Sequence, residues 1–133
     1  MITAKFKYTI LYVKDIALTV EFYEKAFGLK RGFVTPEGDY GEVDTGSTTL
    51  SFANIELGNS NIKSGFVAAD LKSKPFGVEL AFVTEDIEAT WTQAINSGAT
   101  VLEEIETKVW GQKVGYLRDP NGFLLEICTP IEG

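Results

Sequence analysis

The sequence predicts an α+β fold in which two tandem βαβββ modules form a curved eight-stranded cup. Strand-like and helix-like patterns follow one another in the order βαβββ and then in the same order again. The predicted helix-capping aspartates, Asp15 and Asp86, are 71 positions apart, and the predicted helix-ending glycines, Gly28 and Gly98, are 70 positions apart. Such self-similarity indicates two copies of one supersecondary unit within one compact domain.

The first module is predicted at residues 1–53. Side chains alternate over residues 6–13, which predicts a strand. Asp15 is the predicted N-cap of a helix that Gly28 ends as a left-handed C-cap. Turns rich in glycine, proline and acidic residues then separate three short strands. These strands are predicted at residues 30–35, 40–44 and 48–53.

A polar segment at residues 54–76 is predicted to link the modules, with a short helix near residues 66–71. The second module, residues 77–133, repeats the order of the first. Asp86 caps a helix whose apolar stripe includes Trp91, which is therefore expected in the core. The strands of this module are predicted at residues 77–83, 101–107, 113–118 and 123–129.

The last two strands are predicted to form a hairpin around the turn at residues 119–122, Asp-Pro-Asn-Gly. In the strand after the turn, Glu126 shares a face with Leu124 and Cys128, because side chains alternate with period two. An unpaired buried carboxylate costs several kcal/mol, so Glu126 must be exposed, paired, protonated or ligand-bound. Glu126 is thus the candidate catalytic or binding group, although an edge-strand glutamate facing water is the simpler interpretation.

The composition limits the classes of function. Nineteen acidic residues against twelve basic ones give a net charge of −7, which opposes nucleic-acid binding and favours neutral or cationic partners. Solubility alone would also explain this charge. The sequence has no signal-like N-terminus and no run of about 18 apolar residues, which predicts a cytoplasmic protein without membrane association.

Histidine is absent from the sequence, and Cys128 is the single cysteine. Without histidine the chain has no Ser-His-Asp or Cys-His catalysis and lacks the usual ligands of zinc. One cysteine excludes an intrachain disulfide, and its position on a strand predicts a small buried hydrophobe.

Several short motifs match those of a known family in order and spacing. They are Leu11–Asp15, Phe22–Leu29, Val83–Ala89, Gly98-Ala99, Trp110-Gly111 and Asp119–Glu126. Together they resemble the vicinal oxygen chelate superfamily, which includes glyoxalase I, extradiol dioxygenases, fosfomycin-resistance enzymes and bleomycin-resistance proteins. The resemblance covers nearly the whole chain apart from the linker, and it implies the glyoxalase/bleomycin-resistance fold.

The resemblance also implies four positions for metal ligands, which metal-dependent members fill with histidine and glutamate. Only Glu126 keeps a usual ligand, so no resident cofactor is expected, with a hard divalent cation such as Mg²⁺ as the alternative. Aligning the motif on Asp86 places Glu79 at a ligand position and is favoured, whereas aligning on Val83 would turn Glu79 to the other sheet face. The implied positions are Tyr8, Ser51, Glu79 and Glu126.

The favoured function is metal-independent binding of a cationic or aromatic small molecule, including antibiotics, in the manner of bleomycin-resistance proteins. Aromatic side chains would form the walls of the site and carboxylates would fix an amine. For Trp110, wall lining and structural anchoring remain equal alternatives. The candidate ligand-binding residues are Tyr8, Tyr12, Phe33, Tyr40, Ser51, Phe52, Glu79, Trp110, Tyr116 and Glu126.

Two other functions stay open at the level of sequence. The first is a lyase, isomerase or dioxygenase of the same superfamily that uses a divalent metal or a glutamate acid–base pair. The second is a protein-interaction domain whose cup is filled by its own side chains. Family members are usually dimers, and open strand edges favour self-association, so a homodimer is expected.

Overall fold

The computed structural model describes residues 1–131, and it contains two compact units. One unit comprises residues 1–24 and 28–68, and the other comprises residues 25–27 and the chain from Ala69 onward. No helix in residues 1–131 is long and apolar enough to cross a membrane. The elements are β1 Tyr8–Val13, α1 Ile16–Phe27, β2 Lys30–Val34, β3 Tyr40–Asp44, β4 Thr49–Asn54, α2 Ile55–Asn61, β5 Glu79–Val83, α3 Ile87–Asn96, β6 Thr100–Thr107, β7 Lys113–Arg118 and β8 Leu124–Cys128.

The first unit holds a four-stranded sheet in the order β1-β4-β3-β2. Strand β1 runs parallel to β4, and the other neighbours are antiparallel. Helix α1 covers one face of this sheet so closely that a Cβ at Gly41 would come within 2.8 Å of Ile16 Cγ2. We call the opposite face, which carries Tyr8, Glu42 and Ser51, the distal face of the first sheet.

Phe52 lies on the face covered by α1, so the prediction that it lines a ligand site is wrong. Its neighbours in the register are Leu11 and Gly41, both on the α1 side. The side chain is completely buried and stacks on Tyr23, with 5.2 Å between ring centroids. Because neighbouring residues of a strand face opposite ways, Ser51 and Phe52 cannot both serve one face.

Helix α1 begins and ends where the sequence predicts. The Asp15 carboxylate accepts a hydrogen bond from the Leu18 N–H at 3.0 Å, and Gly28 has a left-handed φ of 67°. These contacts satisfy backbone groups that have no partner inside the helix.

The linker contains a helix, but at a different place from the one predicted. Helix α2 begins after Asn54, whose side-chain oxygen accepts a hydrogen bond from the Leu57 N–H at 2.8 Å. No helix forms near residues 66–71, where Phe66 instead packs its ring 4.6 Å from that of Tyr12. The N-cap signal of Asn54 outweighs the low helix propensity of the Gly-Asn-Ser-Asn sequence that follows it.

The second unit holds a four-stranded sheet in the order β5-β8-β7-β6, and this pattern repeats that of the first unit. Helix α3 begins at the predicted cap, where Asp86 accepts a hydrogen bond from the Ala89 N–H at 3.1 Å. Trp91 of α3 is 7% exposed, which confirms its predicted place in the core. A Cβ at Gly115 of β7 would lie 2.5 Å from the Trp91 ring, so α3 packs directly on the backbone of the sheet. The face opposite α3 is the distal face of the second sheet.

The predicted turn between β7 and β8 is present and depends on Asp119. Its carboxylate is fully buried, and Oδ1 accepts N–H groups from Asn121, Gly122 and Phe123, each at 2.9 Å. Gly122 adopts a φ of 106°, which favours glycine. The turn therefore has a fixed backbone geometry.

Arg118, which is 6% exposed, holds the end of the linker against this turn. Its guanidinium donates to the carbonyl of Gly122 at 2.8 and 3.0 Å. It also donates to the carbonyls of Asp70, Leu71 and Ser73, at 3.0, 3.3 and 2.7 Å respectively. One buried side chain thus satisfies backbone carbonyls from two separate segments.

We expect Arg118→Lys to lower the free energy of unfolding by about 3 kcal/mol, because lysine cannot reproduce the planar set of five donors and leaves buried carbonyls unpaired. Urea unfolding followed by tryptophan fluorescence measures the change. Arg31→Lys is the matched control, because Arg31 is exposed and solvent screens its ion pair with Glu24. Equal effects of the two substitutions would contradict the structural role of Arg118.

Candidate functional site

The distal face of the second sheet brings together two carboxyl groups and a phenol. In the register, Glu126 lies between Ala81 of β5 and Tyr116 of β7. The Tyr116 hydroxyl donates a hydrogen bond to Glu126 Oε1 at 3.1 Å. Glu79 lies on the same face, diagonally across β5 and β8 from Glu126. Three predicted site residues therefore meet at one place in this unit.

Glu79 lies on the same sheet face as Glu126, as the alignment on Asp86 predicts. Leu80 and Phe82 of the same strand are half-buried, whereas Glu79 is exposed. Alternation along β5 turns these two apolar side chains toward the opposite face from Glu79. Glu79 is consequently free of the core and available for interaction with Glu126.

Proximity changes the acidity of the groups around Glu126. The pKa of Glu79 is raised, first by partial loss of hydration and then by the charge of Glu126 and the hydrogen bond to it. The pKa of Tyr116 is also raised, by burial and then by its hydrogen bond to Glu126. Burial is likewise the main cause of the raised pKa of Cys128, which keeps this buried thiol protonated and unreactive.

The distal face of the first sheet carries a second polar group, centred on Tyr40. Its hydroxyl lies 3.0 Å from Glu42 Oε2 and 2.9 Å from the hydroxyl oxygen of fully buried Ser51. A phenol has one proton, so both contacts are satisfied when Tyr40 donates to Glu42 and the Ser51 hydroxyl donates to Tyr40. The pKa of Tyr40 is raised mainly by burial.

Glu42 is the residue that sequence reasoning missed. It pairs with Ser51 across β3 and β4 and is half-buried on the distal face. The signal was present, because Tyr40 and Glu42 are two positions apart on a predicted strand and must share a face. Glu42 is not among the metal-ligand positions that the family resemblance implies, since those positions lie on other strands.

Three further predicted wall residues have different surroundings. Tyr12 lies on the distal face of the first sheet but is covered by Phe66 of the linker. Tyr8, on the same strand, remains 47% exposed. Phe33 is 59% exposed and lies in β2 where the pairing with β3 shifts register.

Trp110 lies beside the start of α3 rather than beside Glu126. It is 60% exposed, and its indole N–H donates to Gln112 Oε1 at 2.8 Å. It borders a surface cavity of about 550 Å³ together with Glu88 and Pro130, and this cavity contains neither Glu126 nor Tyr116. No contact therefore supports the prediction that Trp110 lines the wall of a ligand site near Glu126.

The donor groups do not fit a transition-metal ion. The first unit offers the hydroxyls of Tyr8 and Ser51, and the second offers the carboxyls of Glu79 and Glu126. All are hard oxygen donors, whereas zinc, nickel and iron favour sites that include imidazole or thiolate. Over residues 1–131 no three His, Cys, Asp or Glu side chains form a group that could hold a metal.

Two βαβββ modules, each with polar groups on the sheet face opposite its helix, define a class of α+β proteins built by duplication. The chain belongs to the Glyoxalase/Bleomycin resistance protein/Dioxygenase superfamily, whose family model matches residues 5–127. This match confirms the resemblance to the vicinal oxygen chelate proteins and the predicted α+β architecture of tandem modules.

Individual relatives support the family and the fold. The uncharacterized protein YraH of Bacillus subtilis is 29% identical over 122 residues, which cover 88% of this chain and 91% of YraH. An uncharacterized protein of Mycobacterium bovis is 26% identical over 124 residues, covering 91% of this chain and 80% of that protein. The crystal structure of a glyoxalase-related enzyme from Fulvimarina pelagi superimposes with a TM-score of 0.80 at 18% identity, covering 96% of this chain and 89% of that one.

The raised pKa of Glu79 predicts how stability depends on pH. A carboxyl whose pKa is higher in the folded state than in the unfolded chain stabilises the fold below its ordinary pKa, and this contribution is lost as pH rises through the folded pKa. Glu79→Gln stays neutral throughout. We therefore expect the variant to gain thermal stability over the wild type as pH rises above the ordinary pKa of a glutamate.

Thermal unfolding at several pH values measures this difference. Glu104→Gln is the control, because Glu104 is exposed on β6 and its replacement removes the same formal charge. A melting-temperature difference for Glu79→Gln that stays constant with pH, or that favours the wild type at neutral pH, would show that the Glu79–Glu126 interaction does not raise the pKa.

Proposed function

We propose that this protein binds an organic cation with aromatic or apolar character, without a resident metal, on the distal face of the second sheet. The observation that carries the proposal is the half-buried carboxylate of Glu126, which accepts a hydrogen bond from Tyr116 and has Glu79 on the same sheet face. Among residues 1–131, no lysine or arginine forms an ion pair with Glu126 or Glu79. The two acidic groups thus have no cationic partner from the described chain.

The energetics of this pair favour a cationic ligand. Two neighbouring carboxyls cannot both ionise without repulsion, so one of them retains its proton to a higher pH. A protonated amine next to Glu126 would supply the missing counter-charge and weaken the repulsion between the two acidic groups. Tyr116 would place an aromatic face beside the bound cation, which adds cation–π attraction. Binding energy would then come from removing a repulsion as well as from new contacts.

Family membership is compatible with this proposal but leaves the choice of ligand open. The superfamily unites proteins described as glyoxalases, bleomycin-resistance proteins and dioxygenases. Bleomycin-resistance proteins provide the precedent for binding without catalysis, and cationic antibiotics are one ligand class with the required charge. The absence of histidine favours this branch over the metal-dependent one.

Glu126→Gln tests the proposal directly. We expect the affinity for aromatic cations such as berberine to fall about tenfold or more, because a charge-assisted contact is worth roughly 1.5–3 kcal/mol. Isothermal titration calorimetry measures the affinity, and thermal shift provides a screen, since a ligand that binds the folded state raises the melting temperature.

The matched control is Glu104→Gln, which removes the same charge from an exposed position on β6. Its affinity should equal that of the wild type. If both variants weaken binding equally, net charge rather than the Glu126 site attracts the ligand. If no cation in the screen stabilises the wild type, the proposed function is wrong.

The same carboxyl pair favours a second candidate, a lyase or isomerase that transfers a proton within the superfamily. The site places two carboxyl groups on one sheet face, and the raised pKa of Glu79 favours this residue as the general acid of such a reaction. Tyr116 would donate a hydrogen bond to an oxyanion formed on the substrate. This candidate predicts turnover that Glu79→Gln and Glu126→Gln each abolish.

Metal content separates the binding function from a metal-dependent enzyme. We expect elemental analysis of the protein as purified to show no stoichiometric transition metal, because its donors are hard oxygens and include no imidazole. Incubation with Zn²⁺ or Ni²⁺ followed by gel filtration should leave the protein metal-free and its melting temperature unchanged. Near-unit occupancy would overturn the metal-independent assignment in favour of an enzyme.

A further inference from the structure

The surface cavity of about 550 Å³ at the start of α3 is separate from the Glu126 site. Its walls come from the first residues of α3, from the loop that joins β6 to β7, and from the two residues that follow β8. All of these residues belong to the second unit. Cavities of this volume are typical of small-molecule sites. The cavity is therefore large enough to hold a small molecule.

Trp110 gives this cavity an aromatic ring that is exposed but held in one orientation. The ring is 60% exposed, and its indole N–H donates to Gln112 Oε1 at 2.8 Å. Gln112 in turn donates from Nε2 to the carbonyl of Thr129 at 2.8 Å. These two hydrogen bonds connect the ring to the end of β8 without burying it. An aromatic face that is already oriented loses little conformational entropy when a ligand stacks on it.

The charged groups that line the cavity favour a cation. The ammonium group of Lys113 lies 3.2 Å from the Glu88 carboxylate, so these two charges offset each other. Glu85 forms no hydrogen bond or ion pair with other residues in the range 1–131. The Asp86 carboxylate accepts the Ala89 N–H, and its charge offsets the positive end of the α3 dipole, which would otherwise attract an anion. The cavity thus has an excess of negative charge.

A guanidinium group matches both the aromatic ring and the excess charge. It is planar and weakly hydrated, so it stacks on aromatic rings more readily than a strongly hydrated ammonium group does. Tryptophan is the side chain that attracts a cation to its ring face most strongly. The same guanidinium can donate two parallel hydrogen bonds to one carboxylate. Trp110 and Glu85, which both line the cavity, supply these two partners.

We propose that this cavity binds a small molecule that bears a guanidinium group, which stacks on Trp110 and pairs with the carboxylate of Glu85. The site goes beyond the proposed function, because its residues lie at the end of α3 rather than on the distal face of the second sheet. It also stands independently of that function, since neither Glu126 nor Tyr116 lines the cavity.

The test is an NMR titration of the full chain with Nα-acetylarginine amide, followed through the backbone amide signals of residues 86–88 and 110–113. We expect a saturable response in the wild type. In Trp110→Ala the affinity reported by residues 86–88 should fall about fivefold, because the stacking face is lost. In Glu85→Gln we expect a loss of about threefold, since this exposed carboxylate is screened by solvent.

Two comparisons isolate the guanidinium and the cavity. Nα-acetylcitrulline amide has nearly the same shape without the charge, so it should produce no saturable response. Glu104→Gln is the matched control, because Glu104 is exposed on β6 and does not line the cavity. Its affinity for the arginine compound should equal that of the wild type.

The outcomes separate this inference from the proposed function. An affinity that is unchanged in Glu126→Gln but lowered in Trp110→Ala and in Glu85→Gln supports the cavity site. An affinity that only Glu126→Gln lowers overturns it and assigns the guanidinium to the Glu126 site. The cavity site is also wrong if the wild type shows no saturable response, or binds the citrulline compound equally well. Should Trp110→Ala fail to fold, the difference between Glu85→Gln and Glu104→Gln decides the question.

Discussion

The alternation of side chains in two helix-covered sheets is the constraint on which the rest of the structure depends. Helices α1 and α3 bury one face of their sheets, with glycines at Gly41 and Gly115 that permit direct contact with Ile16 and Trp91. Every second residue of a central strand must therefore face the other way. Polar side chains on these strands can only be accommodated on the distal faces, which is why the acids and phenols gather there.

Because of this constraint, the carboxylates on the distal faces lower the stability of the folded state. Glu42 and Glu126 lie on central strands, where water is partly excluded, and the described chain supplies phenol hydroxyls but no cation to either one. Valine or threonine at these positions would suit a strand better. A pair such as Glu79 and Glu126 even raises the free energy of the folded state at neutral pH. Strain of this kind is common where a protein binds a ligand.

The sequence predicted the architecture well because local signals agreed with one another. The caps at Asp15, Gly28 and Asp86 and the Asp119 turn each have a physical cause within a few residues. The short helix α2 was misplaced because a single capping residue, Asn54, starts it against low intrinsic propensity. Residues 70–73 are held by hydrogen bonds from Arg118, which is 45 or more positions away in the chain. No local sequence pattern predicts such a contact.

Prediction of the site was less complete for a related reason. The alternation of side chains along a strand predicts the face of Glu126 correctly. The same alternation turns Phe52 to the opposite face from its neighbour Ser51, so the two residues cannot line one site. Glu42 occupies none of the ligand positions that the family resemblance implies, so only its strand face identifies it. The place of Trp110 depends on a loop, whose path cannot be deduced from alternation. The expected homodimer stays a prediction.

In the ligand binding that we propose, the overall charge and the distal face of the second sheet would serve different purposes. A net charge of −7 attracts any cation, but the attraction is screened beyond about 8 Å at physiological ionic strength. In that function, discrimination would come from a partly dehydrated carboxylate that a neighbour orients, as Tyr116 orients Glu126. Because that neighbour is a phenol, the proposed site would favour a cation that also presents an apolar surface, and a small hydrated ion would gain little from it.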